Sequence, residues 1–403
     1  MNRFLSVVVC SIIITFIGSV SCNSQKETTM TAGEFITFLR NQASQIANEE
    51  SGWKNFTETY SNPYVVNDSV VFMFYGEANS VQWAGDFNSW SQQEPKAMGT
   101  RIENSEVWYS VISLPLDARV DYKIIVDGTW ILDPDNEFRQ MAGVGGGSYN
   151  SELRMPGYIE DTVGYERVDI PKGMLSEAFS LRSNAMHYEI NYQVYVPENY
   201  EKLDNLPSLY VTDGHEYSRL ELGNMISILD NLVADKKIEP LLVIFVDPRN
   251  PDDHNENRRM SEYVLNKAFV EFFTDELIPE IDSKFKTSGD AANRGILGTS
   301  LGGLNSAYFH ATANNYFKRI GINSPAFSYK EEIFDIYDTL QAIPSNIIIT
   351  TGTMYDTQPS ALRMKGIMER KGYPLLYIEV NQGHSWGNWE ELLDDVLVHL
   401  YGN

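Results

Sequence analysis

The chain has 403 residues, 43% of them hydrophobic, enough to bury a large core, and its length points to two domains. A formal charge of −24 excludes a diffuse electrostatic affinity for nucleic acid or anionic lipid. There is no H-E-x-x-H, no paired-cysteine spacing and no compact histidine cluster, so neither a metal nor another cofactor is expected.

Residues 1–22 read as an export signal: Arg3 follows the amino terminus, residues 4–20 are almost wholly apolar, and small residues lead to Cys22. The stretch is long enough to be weighed as a membrane anchor, but it runs straight into a polar, small-residue segment. Gly18-Ser19-Val20-Ser21-Cys22 resembles a bacterial lipoprotein processing site. That resemblance implies lipid attachment at Cys22 and a place in the periplasm or on the outer membrane, with the lipid as the only membrane contact. Ser19 departs from the pattern, standing where a leucine is usual, and plain secretion or an uncleaved anchor are the alternatives. Cys10 and Cys22 are the only cysteines, so cleavage before Cys22 leaves no intrachain disulfide.

Residues 23–60 are read as an N-terminal helix and linker. Thr31-Ala32-Gly33-Glu34 has capping-box spacing, and Phe35, Leu39, Ala43 and Ile46 recur at helical intervals. This predicts an amphipathic helix over 31–48 docked on a neighbouring domain. Over 61–156 the pattern changes to short alternating runs, such as 70–75 and 107–114, separated by turn residues, which predicts an all-β module. Its clearest hairpin joins 122–126 to 129–132 through Asp127-Gly128, a pair suited to a two-residue type I′ turn. A glycine-rich loop at 143–147 precedes a last short strand, and Pro156-Gly157 marks the boundary to a second domain over 157–403.

In that domain 177–182 and 190–196 predict an opening antiparallel pair. Strands at 208–212, 241–246, 294–297, 320–323, 346–350 and 375–380 then alternate with helical segments. Continuous apolar runs separated by helices predict a mostly parallel α/β sheet covered on both faces.

Gly298-Thr299-Ser300-Leu301-Gly302-Gly303 joins the 294–297 strand to a helix over 301–313, the strand, sharp turn and helix of a nucleophile elbow. Glycines two positions before and after Ser300 let neighbouring backbone approach without Cβ clashes. A serine in a tight turn also serves as a helix cap, so the motif alone does not decide. Open parallel sheets gather functional groups outside the carboxyl ends of their strands. Asp356 follows the 346–350 strand and His384 follows the 375–380 strand, giving the order Ser, Asp, His. Serine is a weak nucleophile until a histidine takes its proton, and a carboxylate fixes the imidazole tautomer. His187, His310 and His399 fall within strand or helix patterns and His254 lies in a long polar loop, which leaves His384 with the right address. Acyl transfer also needs two backbone N–H groups aimed at the oxyanion. Leu301 is assigned one, and His215, after the 208–212 strand, the other; the alternative is that Asp213-Gly214 is a simple turn. Trp386 and Trp389 flank His384 and are read as packing residues before substrate contacts.

Residues 157–403 resemble the esterase D group of α/β-hydrolases, which includes enterochelin esterases, feruloyl esterases and mycolyltransferases. The likeness is carried by Tyr210-Val211-Thr212-Asp213-Gly214, the Gly298 to Gly303 run, and Gln382-Gly383-His384-Ser385-Trp386-Gly387-Asn388-Trp389. It implies an α/β-hydrolase fold, Ser300 as nucleophile, His384 as base and a carboxylate near Asp356, where some relatives use glutamate. The preceding module is similar to the immunoglobulin-like β-sandwiches of glycogen-binding and isoamylase N-terminal modules. Here the likeness lies in Gly85-Asp86-Phe87-Asn88-Ser89-Trp90, Tyr122-Lys123, Asp127-Gly128, Trp130 and Asp133-Pro134. It implies sugar contacts at Trp90, Lys123 and Trp130, indole faces covering the apolar faces of sugar rings. Modules of this type also serve only as packing partners.

The expectation is therefore an exported serine carboxylester hydrolase acting on an acylated polysaccharide or a hydroxycinnamoyl (feruloyl) ester. One alternative is a siderophore esterase. Arg249, Arg258 and Arg259 in the 247–261 loop would supply its positive charge, unless they pair with Asp252, Asp253 and Glu256. An acyltransferase and a non-catalytic glycan-binding lipoprotein are the others. The acyl group, the alcohol and the oligomeric state stay open.

Overall fold

The computed structural model describes residues 30–48, 51–93, 98–143 and 147–403. Cys10, Cys22 and the centre of the 143–147 glycine loop lie outside the described residues.

The helix Ala32–Asn48 starts at a reciprocal cap. The Thr31 N–H donates to the Glu34 carboxylate at 2.9 Å and the Glu34 N–H donates to Thr31 Oγ1 at 3.3 Å. Phe35, Leu39, Ala43 and Ile46 form its buried stripe, packed on Val71, Met73, Val107 and Tyr109 of the β-module. A second helix, Gly52–Thr59, stands where a linker was expected, and its Phe56 joins the same cluster.

Two antiparallel sheets make the β-module. One runs in the order Tyr64–Val66, Ser69–Tyr75, Val107–Ser113, Thr100–Arg101. The other runs Val81–Gly85, Arg119–Val126, Tyr149–Arg154, Arg139–Met141, with Thr129–Ile131 paired to Arg119–Val126. Val70, Phe72, Val81, Trp83, Tyr122 and Ile124 fill the space between them, as the inward-facing alternation of a sandwich requires. Asp127 and Gly128 both have positive φ, 47° and 84°, and join Val126 to Thr129 in the two-residue turn that the sequence suggests.

The second domain holds a nine-stranded sheet. Phe179–Arg182 and the two-residue strand Met174–Leu175 pair with Glu189–Val196, which lies antiparallel to Leu242–Asp247. Next come Ser208–Val211, Arg294–Thr299, Arg319–Asn323, Asn346–Gly352 and Leu375–Val380, all parallel to Leu242–Asp247. The strands match the expected runs to within a residue or two. Alternation then sorts the core. Ile296, Ile322, Ile347 and Ile349 face the helices that carry Phe269, Leu304 and Phe334, while Leu297, Val243 and Ile348 face those that carry Ile228, Trp386 and Val396. Among the described residues no helix is long and apolar enough to cross a membrane.

Chain order reverses beside Ser208–Val211: the following strand, Leu242–Asp247, lies on one side of it and Arg294–Thr299 on the other. Such a switch point opens a crevice at the carboxyl ends of the strands. Residues 212–215 and Ser300 both leave the sheet there.

Candidate active site

Ser300 links a fully buried strand to the helix Leu301–Thr312 with φ 59° and ψ −116°, a conformation a side-chain-bearing residue rarely adopts. Close backbone contact holds it there. A Cβ on Gly298 would lie 2.5 Å from the backbone of Gly302, and one on Gly302 would lie 2.8 Å from Thr212 Oγ1. The Ser300 N–H donates to the Asn323 carbonyl at 3.0 Å, and the Ser300 carbonyl accepts from Leu304 and Ala326 at 3.1 and 2.9 Å.

His384 and Asp356 meet Ser300 from the neighbouring strand ends. His384 Nε2 lies 2.9 Å from Ser300 Oγ, and His384 Nδ1 lies 2.5 Å from Asp356 Oδ1. The Asp356 carboxylate has no solvent exposure, and its second oxygen accepts from the Gly352 N–H at 2.6 Å, Ser324 Oγ at 2.6 Å and Thr351 Oγ1 at 3.2 Å. An ionised carboxylate only accepts, so the Nδ1–H donates to Asp356 and Nε2 is left to accept from the serine hydroxyl. The His384 side chain is 37% exposed, so a substrate can reach it. Trp386 and Trp389 are both buried, and the Trp389 ring stands edge-on to the imidazole at 4.8 Å. Ser324 and Thr351, which the sequence reading passed over, sit at or beside carboxyl ends of strands like the residues it singled out.

Leu301 and His215 each lie in the first turn of a helix, where backbone N–H groups lack an intrahelical acceptor. Their helices follow adjacent parallel strands, so both amides belong to the same crevice. The His215 imidazole turns away toward Asp247, 3.4 Å from its carboxylate, and burial lowers its pKa. Beside it opens a cavity of about 810 Å³ whose wall includes Met141 and Gly143 of the β-module and Arg219, Arg249, His254 and Arg259. Burial also raises the pKa of Glu216, on the same wall, to about 7, and Trp386 Nε1 donates to that carboxyl at 2.9 Å.

Three expectations need correction. The 247–261 loop contains a short hairpin, Arg249–Asn250 with Asp253–Asn257, and the pairing of its arginines differs from the forecast. Arg258 does pair with Glu256, at 3.3 Å, but Arg249 pairs with Asp247 at 2.7 Å and Arg259 with the buried Asp213 at 2.9 Å. Asp253 is spent locally, accepting from Asn255 on its own hairpin strand. His187 lies in the turn before Glu189–Val196, with φ 64°, rather than within a strand, and His254 lies on a hairpin strand rather than in open loop.

Of the sugar-contact candidates, the Trp90 and Trp130 rings stack at 6.3 Å with 25° between planes, and Trp130 is 39% exposed. Lys123 is not joined to that pair; its ammonium is directed to Ser148 Oγ, 3.4 Å away. Trp90 also has an inward bond that the sequence did not reveal, from Nε1 to Asp86 at 3.0 Å.

Comparison with known proteins adds family and fold. The family described as "Putative esterase" matches residues 183–400. An endo-1,4-beta-xylanase/feruloyl esterase of Xylanibacter ruminicola is 29% identical over 247 residues, 58% of this chain and 32% of that protein. The chain thus spans about a third of the length of this relative. Among solved structures, the ferric enterobactin esterase of Salmonella typhimurium aligns with a TM-score of 0.70 at 16% identity, covering 86% of this chain and 98% of that one. The enterobactin esterase of Shigella flexneri, in the presence of enterobactin, aligns at 0.68 and 17%, covering 87% and 98%. At such identities the likeness is one of fold: an α/β-hydrolase sheet preceded by a β-sandwich.

Proposed function

Because the chain belongs to this esterase family, we propose that it is a serine carboxylester hydrolase with Ser300 as nucleophile, His384 as general base and Asp356 as the orienting acid. The observation that carries this reading is the imidazole set between Ser300 at 2.9 Å and Asp356 at 2.5 Å. Ser300 Oγ attacks the ester carbonyl carbon while its proton passes to His384 Nε2. Negative charge gathers on the carbonyl oxygen, toward which the Leu301 and His215 N–H groups are assigned. The C–O bond to the alcohol breaks, and the alcohol leaves with the proton from Nε2. Water then repeats the attack on the acyl-enzyme, gives its proton to His384 and frees the carboxylic acid and Ser300. Asp356 keeps the imidazolium oriented throughout and does not itself take the proton.

An acylated polysaccharide or feruloyl ester is the substrate class proposed, supported by the sequence likeness to a xylanase/feruloyl esterase. The cavity charge bears on the alternative of an anionic siderophore. Arg219, Arg249 and Arg259 line the cavity, yet each already pairs with a carboxylate. Ion pairs of this kind leave little uncompensated positive charge, which favours the neutral ester. The stacked Trp90 and Trp130 offer an exposed indole face for the sugar. Export and lipid attachment rest on residues 1–22 and Cys22, and palmitate labelling that Cys22→Ser abolishes is the expected result.

The deciding experiment is hydrolysis of methyl ferulate by the chain from residue 23, beside its Ser300→Ala variant. Turnover that disappears in the variant is expected. Turnover that survives Ser300→Ala overturns the serine mechanism, and none in either protein overturns the feruloyl assignment.

A further inference from the structure

His384 stands in the loop 381–385 before the helix Trp386–Glu391, a segment that two domains hold. Its own domain grips the inner side: Asn388 Nδ2 donates to the Gly383 carbonyl at 2.8 Å, and the Met354 N–H donates to the Gln382 carbonyl at 3.0 Å. The outer side belongs to the β-module. There the Arg119 N–H donates to the Asn381 carbonyl at 3.1 Å, Asn381 Nδ2 donates to Asp117 at 2.7 Å, and the Arg119 guanidinium reaches Ser385 Oγ at 3.4 Å.

The closest approaches bracket the histidine. A Cβ on Gly383 would lie 2.0 Å from Asp86 Cγ, and a Cβ on Gly387 would lie 2.0 Å from Arg119 Cζ. Glycine therefore occurs where two side chains of the module press against the backbone on either side of His384. Those side chains are themselves fixed. Asp86 is 3% exposed and accepts from the Asp121 N–H at 2.8 Å and from Trp90 Nε1 at 3.0 Å. Arg119 is 1% exposed and is paired with Asp121 at 3.0 Å and Glu152 at 2.8 Å. Arg119 is thus neutralised by two carboxylates, burial beside Asp121 raises the pKa of Asp86 to about 8, and groups paired in this way in a dry interior are stiff.

We propose that Asp86 and Arg119 are positioning residues for His384: the β-module forms the outer wall of the histidine loop and fixes the imidazole between Ser300 and Asp356. The inference rests on His384 being the general base. The module is thereby part of the catalytic unit whether or not it binds sugar, and the indole N–H of Trp90 serves that wall through Asp86. A displacement of about 1 Å between reacting groups costs about 10²-fold in rate. Neither Asp86 nor Arg119 lines the cavity beside His215, so the loss is expected on kcat rather than on KM.

The test compares the intact two-domain protein with Asp86→Ala, Asp86→Asn, Asp117→Ala and His384→Ala on p-nitrophenyl acetate, well below each thermal midpoint. The downfield proton resonance of the His384 Nδ1–H bonded to Asp356 is recorded alongside. Asp86→Ala is expected to lower kcat by about 10- to 100-fold with KM within about twofold, and to shift or broaden that resonance. Asp86→Asn keeps the volume and one of the two accepted bonds, and should fall between Asp86→Ala and the parent. Asp117 is exposed, so its variant folds in any event; a loss in kcat of about two- to fivefold is expected there. A folded Asp86→Ala with parental kcat and resonance overturns the proposal. If Asp86→Ala does not fold, unchanged kcat and resonance in Asp117→Ala overturn it instead. Turnover retained by His384→Ala overturns the underlying assignment of the base, a separate result.

Discussion

The two halves of the site are built in opposite ways. Ser300 is held within its own domain: by the strand before it, the helix after it, Thr212, and the residues from Asn323 to Ala326. His384 is held by both domains, Met354 and Asn388 of its own on one side and Asp86 and Arg119 of the β-module on the other. Strain at the nucleophile is thus a property of one domain, whereas the aim of the base is a property of the whole molecule.

The largest expected effect tests the histidine half. Asp356→Asn keeps the shape of the acid but supports the wrong imidazole tautomer, and kcat on methyl ferulate should fall about 10⁴-fold with KM little changed. A small loss would mean that the Ser324 and Thr351 hydroxyls are not holding a carboxylate whose charge matters.

Gly298→Ala probes the nucleophile half, because the new methyl meets the Gly302 backbone at 2.5 Å. Urea unfolding should show a loss of about 1–3 kcal/mol, and kcat should drop about 10²-fold as the elbow opens. If both stay at the parental level, the elbow tolerates a wider turn and its rigidity does not rest on that contact.

A smaller effect separates the halves by pH. Glu262, in the helix Arg259–Tyr263 beside Asp213, is pushed up to about 8 by burial, while Tyr188 donates to it at 2.9 Å. A carboxyl raised in the folded state contributes stability that is fully present below its unfolded value near 4.5 and is lost as pH rises through about 8. Glu262→Gln should therefore flatten the decline in unfolding free energy between pH 5 and pH 8.5, by on the order of 2 kcal/mol. An unchanged slope would move the pH dependence to the acids packed around the histidine loop. There Glu390 and Glu391 are likewise raised to about 7, chiefly by burial.

The smallest expected effect concerns the outer face of the module. Trp130→Ala should leave kcat and KM for methyl ferulate within about twofold, since surface changes away from packed features are near neutral. Retention on insoluble polysaccharide should weaken. A fall in kcat would show that the outer face, and not only the Asp86 and Arg119 edge, communicates with His384.

What was legible in the sequence follows the same division. The elbow, the Asp127-Gly128 turn and the Thr31 cap are written in residues a few positions apart, where turn chemistry and periodicity operate, and the order Ser, Asp, His was legible because each residue follows a readable strand. The hydrolase strands were legible because a sheet buried on both faces needs continuous apolar runs. The partner of Arg259 was misjudged because the buried Asp213 lies in a remote segment, and that of Arg249 because the adjacent Asp247 was passed over, while Asp253 accepts from the Asn255 N–H. Gly383 and Gly387 read as part of a family motif, but nothing near them announces the two buried side chains that demand glycine. The inward bond of Trp90 was hidden for the same reason. A tryptophan beside a turn reads as a surface platform until its partner, Asp86, is known to be buried.

Arg119 and Ser385 are separated by 266 residues, and Asp117 and Asn381 by 264. Chains fold from the N-terminal side as they are synthesised, so the charged edge of the β-sandwich is complete long before its counterpart exists. Closing so long a loop adds little free energy, since the entropic cost grows only logarithmically with length. It does impose an order of events. The elbow can form once the Asn323 strand has joined the sheet, but no imidazole faces the serine until residues 381–387 leave the ribosome and meet a surface that has been waiting for them. Reactivity is then among the last properties the nascent polypeptide acquires.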